Sequence, residues 1–185
     1  MRLFFERLVA FLGLLAASPF LAVSVILIRL DSPGAALFRQ ERVGIGKTPF
    51  TCLKLRTMAS GTKQAGTHEI SAASVTRIGR LLRATKLDEI PQLWNVVRGE
   101  MAFVGPRPCL PSQTELVRER EIRGVYEVLP GITGLGQVRG IDMSDPVRLA
   151  EVDGEYVRNR SLPLDLRLAL QTVCGGGSGD RVKSR

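Results

Sequence analysis

Asp88 and Glu89 are adjacent carboxylates near the middle of the chain, and Pro91 follows them closely. Pro91 either disfavours helical geometry at the preceding residue or lies in a first helical turn, where its missing N–H costs nothing. The second arrangement makes Asp88 a helix N-cap with Glu89 in the first turn. The buried face of that helix would then consist of Ile90, Leu93, Trp94 and Val97. Such a pair at the positive end of a helix suits Mg²⁺ and phosphate chemistry, although Asp88 alone would also serve as an ordinary cap.

Basic side chains lie on both sides of this pair. A predicted helix over residues 73–86 carries a cation at every third position: Arg77, Arg80, Arg83 and Lys86. This face either is solvated or lies against an anionic lipid surface. Arg107 stands between Pro106 and Pro108, which limit its backbone and pre-orient the guanidinium for bidentate phosphate binding. The alternative is an ordinary proline-rich turn.

Glycine-rich stretches give weaker signals. Two short strands are predicted over 36–40 and 50–57, around a turn that ends in Gly46-Lys47-Thr48. A phosphate-binding P-loop would need glycine at position 41, which is Glu41, so that motif is excluded. The stretch 130–140 is glycine-dense without helical or strand periodicity and suits either a ligand or tight turns. The single histidine, His68, lies in a predicted loop over 59–72.

The elements that position these residues begin with an apolar segment. Residues 8–28 carry no charge and would form a helix of about 30 Å, long enough for a bilayer core. A cleaved signal peptide, a spanning helix and a re-entrant helix are the three interpretations. Pro19 predicts a kink in the middle, where the Ser18 hydroxyl can bond a freed carbonyl. Arginines flank both ends, so the positive-inside rule favours no crossing direction.

The whole chain is basic, with 26 Lys and Arg against 18 Asp and Glu and a net charge of +8. Its 185 residues, 44% of them hydrophobic, predict one folded domain. Three distant cysteines exclude a disulfide framework and a thiolate zinc site. The charge permits a membrane-anchored module that binds nucleic acid or anionic lipid without catalysis. Against this alternative, only 5% of residues are aromatic and no nucleic-acid-binding motif is present.

The motifs, taken in order, closely resemble those of the bacterial monotopic phosphoglycosyl transferases, the small sugar transferase type. The shared elements are the Ser18-Pro19 segment, Gln40-x-Arg42-x-Gly44, Lys54-Leu55-Arg56-Thr57-Met58, Arg83, Leu87-Asp88-Glu89-x-Pro91-Gln92-Leu93-x-Asn95, Gly99-Glu100-Met101, Val104-Gly105-Pro106-Arg107-Pro108 and Pro130-Gly131-Ile132-Thr133-Gly134. The resemblance runs from about residue 2 to residue 173. Each motif is weak alone; their common order is specific.

The resemblance implies an enzyme that moves a sugar 1-phosphate from a UDP-sugar to polyprenyl (undecaprenyl) phosphate and releases UMP, the first step of bacterial glycoconjugate assembly. It implies a covalent phosphosugar intermediate on Asp88, with Glu89 binding the metal or accepting a proton. Both carboxylates are the expected ligands of Mg²⁺, with Mn²⁺ as an alternative. The expected substrate-binding residues are Arg56, Arg83, Pro106, Arg107, Pro108, Gln137 and Arg139. A scaffold subunit with this fold and no activity is a further alternative, against which the intact Asp88-Glu89 pair argues.

The resemblance also implies an α/β fold of the α+β kind, mainly helical, with a re-entrant helix-break-helix, interfacial amphipathic helices and a small sheet. We predict three regions: a membrane-inserted helix over 1–30 broken at Ser18-Pro19, a cytosolic interfacial catalytic domain over 31–173, and a flexible tail over 174–185. The expected partners are a UDP-sugar, polyprenyl phosphate and membrane lipids, with a homodimer left open. Because UDP-sugars are cytosolic, we expect the active site to face the cytoplasm from the bacterial inner membrane.

Overall fold

The computed structural model describes residues 2–62 and 74–175. His68, most of the predicted 59–72 loop and most of the predicted tail lie outside these residues. The described chain forms two compact units, one from residues 2–40 and 51–99 and one from 41–50 and 100–175. The boundary predicted at residue 30 rests on hydropathy, whereas these units reflect packing. Each unit is described by itself below.

The first unit begins with α1, Arg2–Asp31, a helix of 30 residues. Its length is about 45 Å, and large apolar side chains are exposed along it. By length and composition, Leu3–Asp31 is able to cross a membrane, a test that signal sequences and core helices also pass. The chain therefore has an N-terminal apolar helix suited to a membrane. The re-entrant path remains a prediction.

α1 continues through Ser18 and Pro19 without an end at either residue. A proline at position 19 removes the N–H that would have bonded the carbonyl of Leu15. The Ser18 hydroxyl donates to that carbonyl at 2.7 Å, as the sequence predicted. This replacement lets the helix pass a proline while keeping the Leu15 oxygen satisfied.

Helices α2 (Arg77–Ala84) and α3 (Gln92–Arg98) both pack against α1 in the first unit. Thr76 caps α2 by accepting a hydrogen bond from Gly79 N–H, and Asp31 of α1 accepts one from Ile78 N–H, each at 3.0 Å. The core of this unit is formed by Ile28, Ala36, Leu55 and Leu82. These contacts join the end of α1 to the start of the basic helix.

The predicted hairpin is confirmed. Its strands are β1 (Leu37–Val43) and β2 (Pro49–Leu55), which pair in a two-stranded sheet. A 3₁₀ turn, Ile45–Lys47, connects them, and Gly44 N–H donates to Thr48 O at 2.9 Å across it. Gly46 and Lys47 of this turn both have a left-handed backbone conformation. The turn geometry therefore accounts for the glycine, and no phosphate-binding role is needed to explain it.

The second unit contains the elements from β3 onwards. They are β3 (Ala102–Val104), α4 (Thr114–Ile122), a 3₁₀ turn (Val125–Glu127), β4 (Gly131–Thr133), α5 (Leu135–Val138), α6 (Pro146–Asn159) and α7 (Leu162–Val173). β3 and β4 are parallel, with Ala102 opposite Gly131. One core cluster is centred on Leu116 and Leu149, and another on Tyr156 and Leu168. The sequence predicts a charge-laced helix over 113–123 and amphipathic helices over 146–157 and 163–173, and α4, α6 and α7 confirm these predictions.

Glycines between 105 and 134 let the backbone pack on itself. A Cβ added to Gly131 would lie 2.1 Å from Gly105 N, and one added to Gly134 would lie 2.2 Å from Gly105 O. The stretch 130–140, which showed no periodicity, contains β4 and α5. Its sequence has no periodic pattern because both elements are too short to display one. Close strand packing therefore accounts for these glycines.

Candidate active site

Asp88 lies in a single 3₁₀ turn, Leu87–Glu89, between α2 and α3. The N-cap position of α3 is occupied by Pro91, whose side chain has no acceptor for a backbone N–H. Lys86 precedes the turn with φ 58°, a left-handed conformation that non-glycine residues rarely adopt. The alternative in which Asp88 is the N-cap of α3 is therefore wrong, because Asp88 lies inside a separate 3₁₀ turn that ends before Pro91.

The two carboxylates differ in environment. Asp88 is only 4% exposed. Glu89 Oε1 lies 3.5 Å from Lys54 Nζ, and both of these side chains are largely shielded from water. Charges in such an environment interact more strongly than on an open surface. Lys54 was not singled out from the sequence; the only signal for it was its position in the Lys54–Met58 motif.

Asn95 fixes the strand that carries Lys54. Its Oδ1 accepts a hydrogen bond from Leu53 N–H at 3.1 Å, and its Nδ2 donates to Thr51 O at 2.7 Å. The amide thus bonds both a donor and an acceptor of the β2 backbone. The asparagine of the motif therefore holds β2 against α3, next to the lysine that faces Glu89.

The buried face of α3 differs from the predicted one. Gln92, Asn95 and Val96 are buried, whereas Trp94 is 43% exposed. The stripe predicted from Ile90, Leu93, Trp94 and Val97 is wrong because the polar bonds of Asn95 to β2 set the rotation of this helix. Leu93 is half-buried near Gly13 of α1, where a Cβ would lie 3.5 Å from Leu93 Cδ1.

Arg83 and Arg56 both have protein partners in the first unit. Arg83, in the last turn of α2, donates through Nε to Thr57 Oγ1 at 2.8 Å. Arg56 closes the C-terminal end of α1. Its Nη2 donates to Ser32 O at 2.6 Å and its Nη1 to Pro33 O at 2.8 Å. The geometry makes Arg56 a helix-capping residue, and its expected substrate contact remains a prediction.

The Pro106-Arg107-Pro108 element belongs to the second unit and directly follows β3 and Gly105. Both prolines are buried and Arg107 is half-buried. The Pro106 carbonyl accepts a hydrogen bond from Gly131 N–H at 3.0 Å, although Gly131 lies opposite Ala102 in the β3–β4 register. The backbone therefore leaves the β3 register after Val104, and the element packs against the start of β4 with its prolines buried instead of forming an exposed turn.

Gln137 and Arg139 are engaged within the second unit. Gln137 Nε2 donates to Ile132 O at 2.9 Å. Arg139 forms a bidentate pair with Glu155, in which Nη2 and Oε1 are 2.7 Å apart, and this hydrogen bond lowers the pKa of Glu155. Arg139 also lines a cavity of about 420 Å³ between α5, α6 and α7, together with Arg167. The substrate roles expected for Gln137 and Arg139 remain predictions.

Within the described residues, no cluster of three or more His, Cys, Asp or Glu side chains forms a metal cage. Mg²⁺ in phosphoryl-transfer sites commonly takes only one or two carboxylates and completes its shell with water and substrate phosphates. The donor set of Asp88 and Glu89 fits that pattern.

A comparison of the whole chain with known families defines the class of the protein. The chain belongs to the bacterial sugar transferase family, whose family model matches residues 1–176. This match confirms the family expected from the order of the motifs.

Three relatives of the chain have names that are more specific than the family description. A UDP-glucose:undecaprenyl-phosphate glucose-1-phosphate transferase of Caulobacter vibrioides is 42% identical over 165 residues, 84% of this chain and 62% of the relative. The uncharacterized sugar transferase EpsL of Bacillus subtilis is 36% identical over 169 residues, 91% of this chain and 83% of the relative. A UDP-N-acetylgalactosamine-undecaprenyl-phosphate N-acetylgalactosaminephosphotransferase of Aeromonas hydrophila is 35% identical over 178 residues, 91% of this chain and 41% of the relative. The chain therefore spans less than two thirds of two of these relatives.

Proposed function

We propose that this chain is a phosphoglycosyl transferase that moves a sugar 1-phosphate from a UDP-sugar to polyprenyl phosphate. The observation that carries the proposal is the Asp88-Glu89 pair, held on a one-turn 3₁₀ helix with Glu89 beside Lys54. Family membership and the names of the relatives support the same chemistry. The identity of the sugar stays open, because these names include both glucose and N-acetylgalactosamine.

The proposed reaction has two displacements at one phosphorus. An Asp88 carboxylate oxygen attacks the sugar-bearing phosphorus of the donor; the bond to the bridging oxygen breaks and UMP leaves with that electron pair. An oxygen of polyprenyl phosphate then attacks the same phosphorus and displaces Asp88, which regenerates the carboxylate. Glu89 accepts a proton from the lipid phosphate where that group arrives protonated. One buried side chain thereby serves a soluble donor and a lipid acceptor in turn.

Charge repulsion is the main barrier to the first step, because a carboxylate must approach a diphosphate. Lys54 and Arg83, in the same unit as Asp88, offset part of this repulsion. Asp88 and Glu89 would hold the Mg²⁺, which when bound neutralises charge on the phosphates. Mn²⁺ fits the same oxygen donors.

The proposed membrane arrangement is supported by the charges on the two flanks of α1. Arg7 and Arg29 border the apolar stretch on either side, so both ends are suited to the cytoplasmic face. A re-entrant path bent at Ser18-Pro19 would keep the catalytic residues on the side where UDP-sugars are made. We therefore propose that the enzyme lies at the inner membrane with its active site facing the cytoplasm.

UMP release tests the proposal. The purified protein is incubated with Mg²⁺, undecaprenyl phosphate and a panel of UDP-sugars, and we expect release with at least one donor. Asp88→Asn should abolish transfer, while its circular dichroism spectrum and its membrane binding stay unchanged. Asp142 is an exposed aspartate, so the control variant Asp142→Asn should retain transfer. Mass spectrometry should recover sugar phosphate on Asp88 of the native enzyme. Full turnover by Asp88→Asn would refute the nucleophile, and salt-sensitive nucleic-acid binding without UMP release would favour the non-catalytic module.

A further inference from the structure

Two arginines of the second unit are buried although neither belongs to the predicted site. Arg42, at the end of β1, is 9% exposed, and Arg120, on α4, is 1% exposed. Burial of a guanidinium costs several kcal/mol by order of magnitude unless it is paired and hydrogen-bonded. Their partners therefore indicate what these residues do.

Arg120 reaches two groups at once. Its Nε and Nη2 donate to Asp153 Oδ2 at 2.9 and 2.6 Å, and its Nη1 donates to the carbonyl of Arg107 at 2.9 Å. Burial acts to lower the pKa of Arg120 and the Asp153 carboxylate raises it, with a net upward shift, so the guanidinium stays charged. The α4–α6 ion pair thus extends to the backbone of the Pro-Arg-Pro element.

Arg42 donates a hydrogen bond to the carbonyl of Pro108, which follows that of Arg107 in the chain. Its Nη1 donates to Pro108 O at 2.8 Å. Backbone N–H groups take the carbonyls on either side, with Gly131 N–H bonded to Pro106 O and Val43 N–H to Cys109 O, each at 3.0 Å. Four consecutive carbonyls, from residue 106 to residue 109, are therefore all hydrogen-bonded.

This arrangement leaves little freedom at Arg107. The prolines on both sides have a fixed φ, and every carbonyl from 106 to 109 is held. A backbone carbonyl needs only a neutral donor, so the use of two buried cations is not explained by stability, to which buried ion pairs often add little. Rigid placement of a phosphate-binding side chain explains it better.

We propose that Arg42 and Arg120 are positioning residues that hold the backbone on both sides of Arg107, so that its guanidinium meets the diphosphate of the UDP-sugar in one orientation. The proposal rests on the proposed function. It assigns Asp153 the role of orienting Arg120, since one carboxylate oxygen accepts two of its N–H groups.

The test separates positioning from folding. Replacing both members of the buried pair, Arg120→Met with Asp153→Leu, keeps an apolar fill and is expected to leave the thermal unfolding midpoint near the native value. Because the Arg107 carbonyl is released, we expect KM for the UDP-sugar to rise roughly tenfold to a hundredfold. KM for polyprenyl phosphate should stay unchanged. Arg118→Met, an exposed arginine on the same helix, is the matched control.

A double-mutant cycle identifies the route of the effect. In an Arg107→Ala background the same pair of substitutions should change KM for the UDP-sugar by less than about twofold, because the side chain being positioned is gone. An equal effect in both backgrounds would overturn the proposal. If the double variant fails to fold, Arg42→Lys, which keeps the charge on one nitrogen, takes its place with the same expected split.

Failure of the proposed function gives a different result. Calorimetric binding of UDP is measured alongside turnover for every variant. Native protein that binds UDP without releasing UMP would contradict the proposed function, and the Kd of the variants would still decide positioning. Native protein that turns over while the variants keep its KM and Kd would overturn positioning alone. Native protein that neither turns over nor binds UDP would overturn both.

Discussion

Asn95→Ala should destabilise the first unit by removing the amide that joins α3 to β2. The side chain is 1% exposed and makes two backbone hydrogen bonds, to Leu53 N–H at 3.1 Å and Thr51 O at 2.7 Å. Each bond is worth about 1 kcal/mol net, and a backbone group left without its partner adds a desolvation cost of about the same size. Together these effects predict a loss of about 2–4 kcal/mol in the free energy of unfolding, a large share of the ~5–15 kcal/mol typical of a domain.

Trp94 provides the assay. It is the single tryptophan of the chain and precedes Asn95 on α3, so its fluorescence reports directly on this helix. Urea unfolding in detergent micelles, followed by Trp94 fluorescence and by circular dichroism, should show the lower midpoint in both signals. Asn159→Ala is the control, because the same amide is removed from an exposed position on α6 and should change stability by less than about 0.5 kcal/mol.

The outcome that contradicts this reasoning is equally specific. If Asn95→Ala unfolds within about 0.5 kcal/mol of the native chain, the bonds to β2 are not what holds α3. Because β2 also carries Lys54, the variant should in addition lose UMP release under conditions where it is still folded. Retention of full activity would show that Lys54 needs no such support.

Three further predictions concern backbone geometry and charge. At Lys86, glycine should be more stable than alanine by about 1 kcal/mol, because φ is 58° and both variants lose the same side chain. Gly79→Ala should cost about 2 kcal/mol or more, since its Cβ would lie 2.0 Å from Thr57 O. Glu155→Gln should cost less than about 1 kcal/mol at neutral pH. Arg139 lowers the pKa of Glu155, so that contribution is complete above the ordinary carboxyl pKa and disappears as the pH falls through the lowered value.

Thermal unfolding tests all three predictions, and a different result would contradict each of them. Equal stability of the two Lys86 variants would mean that the left-handed residue carries no strain. The Gly79→Ala variant is compared with Arg80→Ala, a substitution at the neighbouring exposed position. Equal unfolding midpoints of the two variants would show that α2 does not contact the Thr57 backbone closely. A Glu155→Gln difference that grows at acid pH would contradict the sign derived from its pKa.

Local sequence patterns predicted much of the architecture. The apolar run gave α1, the turn chemistry around residues 44–48 gave the hairpin, and periodicity gave α2, α4, α6 and α7. Even the bond from Ser18 to a carbonyl freed by Pro19 could be predicted, because both partners lie within one turn of a helix. The motif order gave the family for a similar reason, since it needs only the chain itself.

The environment of the carboxylates was decided by tertiary structure. Hydropathy placed Trp94 inside and gave no signal for Asn95, yet Asn95 is buried because it bonds a strand more than forty positions earlier. Lys54 reaches Glu89 across a similar separation. The left-handed residue at 86, which directly precedes the turn that carries Asp88, is likewise not specified by a lysine.

The sequence by itself therefore determined the longer helices, the hairpin and the motif order that identifies the family. Only the tertiary structure decided that Arg56 caps α1, that Asn95 bonds β2 and that Arg42 and Arg120 hold the backbone beside Arg107. Propensity and periodicity act over a few neighbouring residues, whereas these hydrogen bonds join residues that are far apart in the chain and meet only after packing.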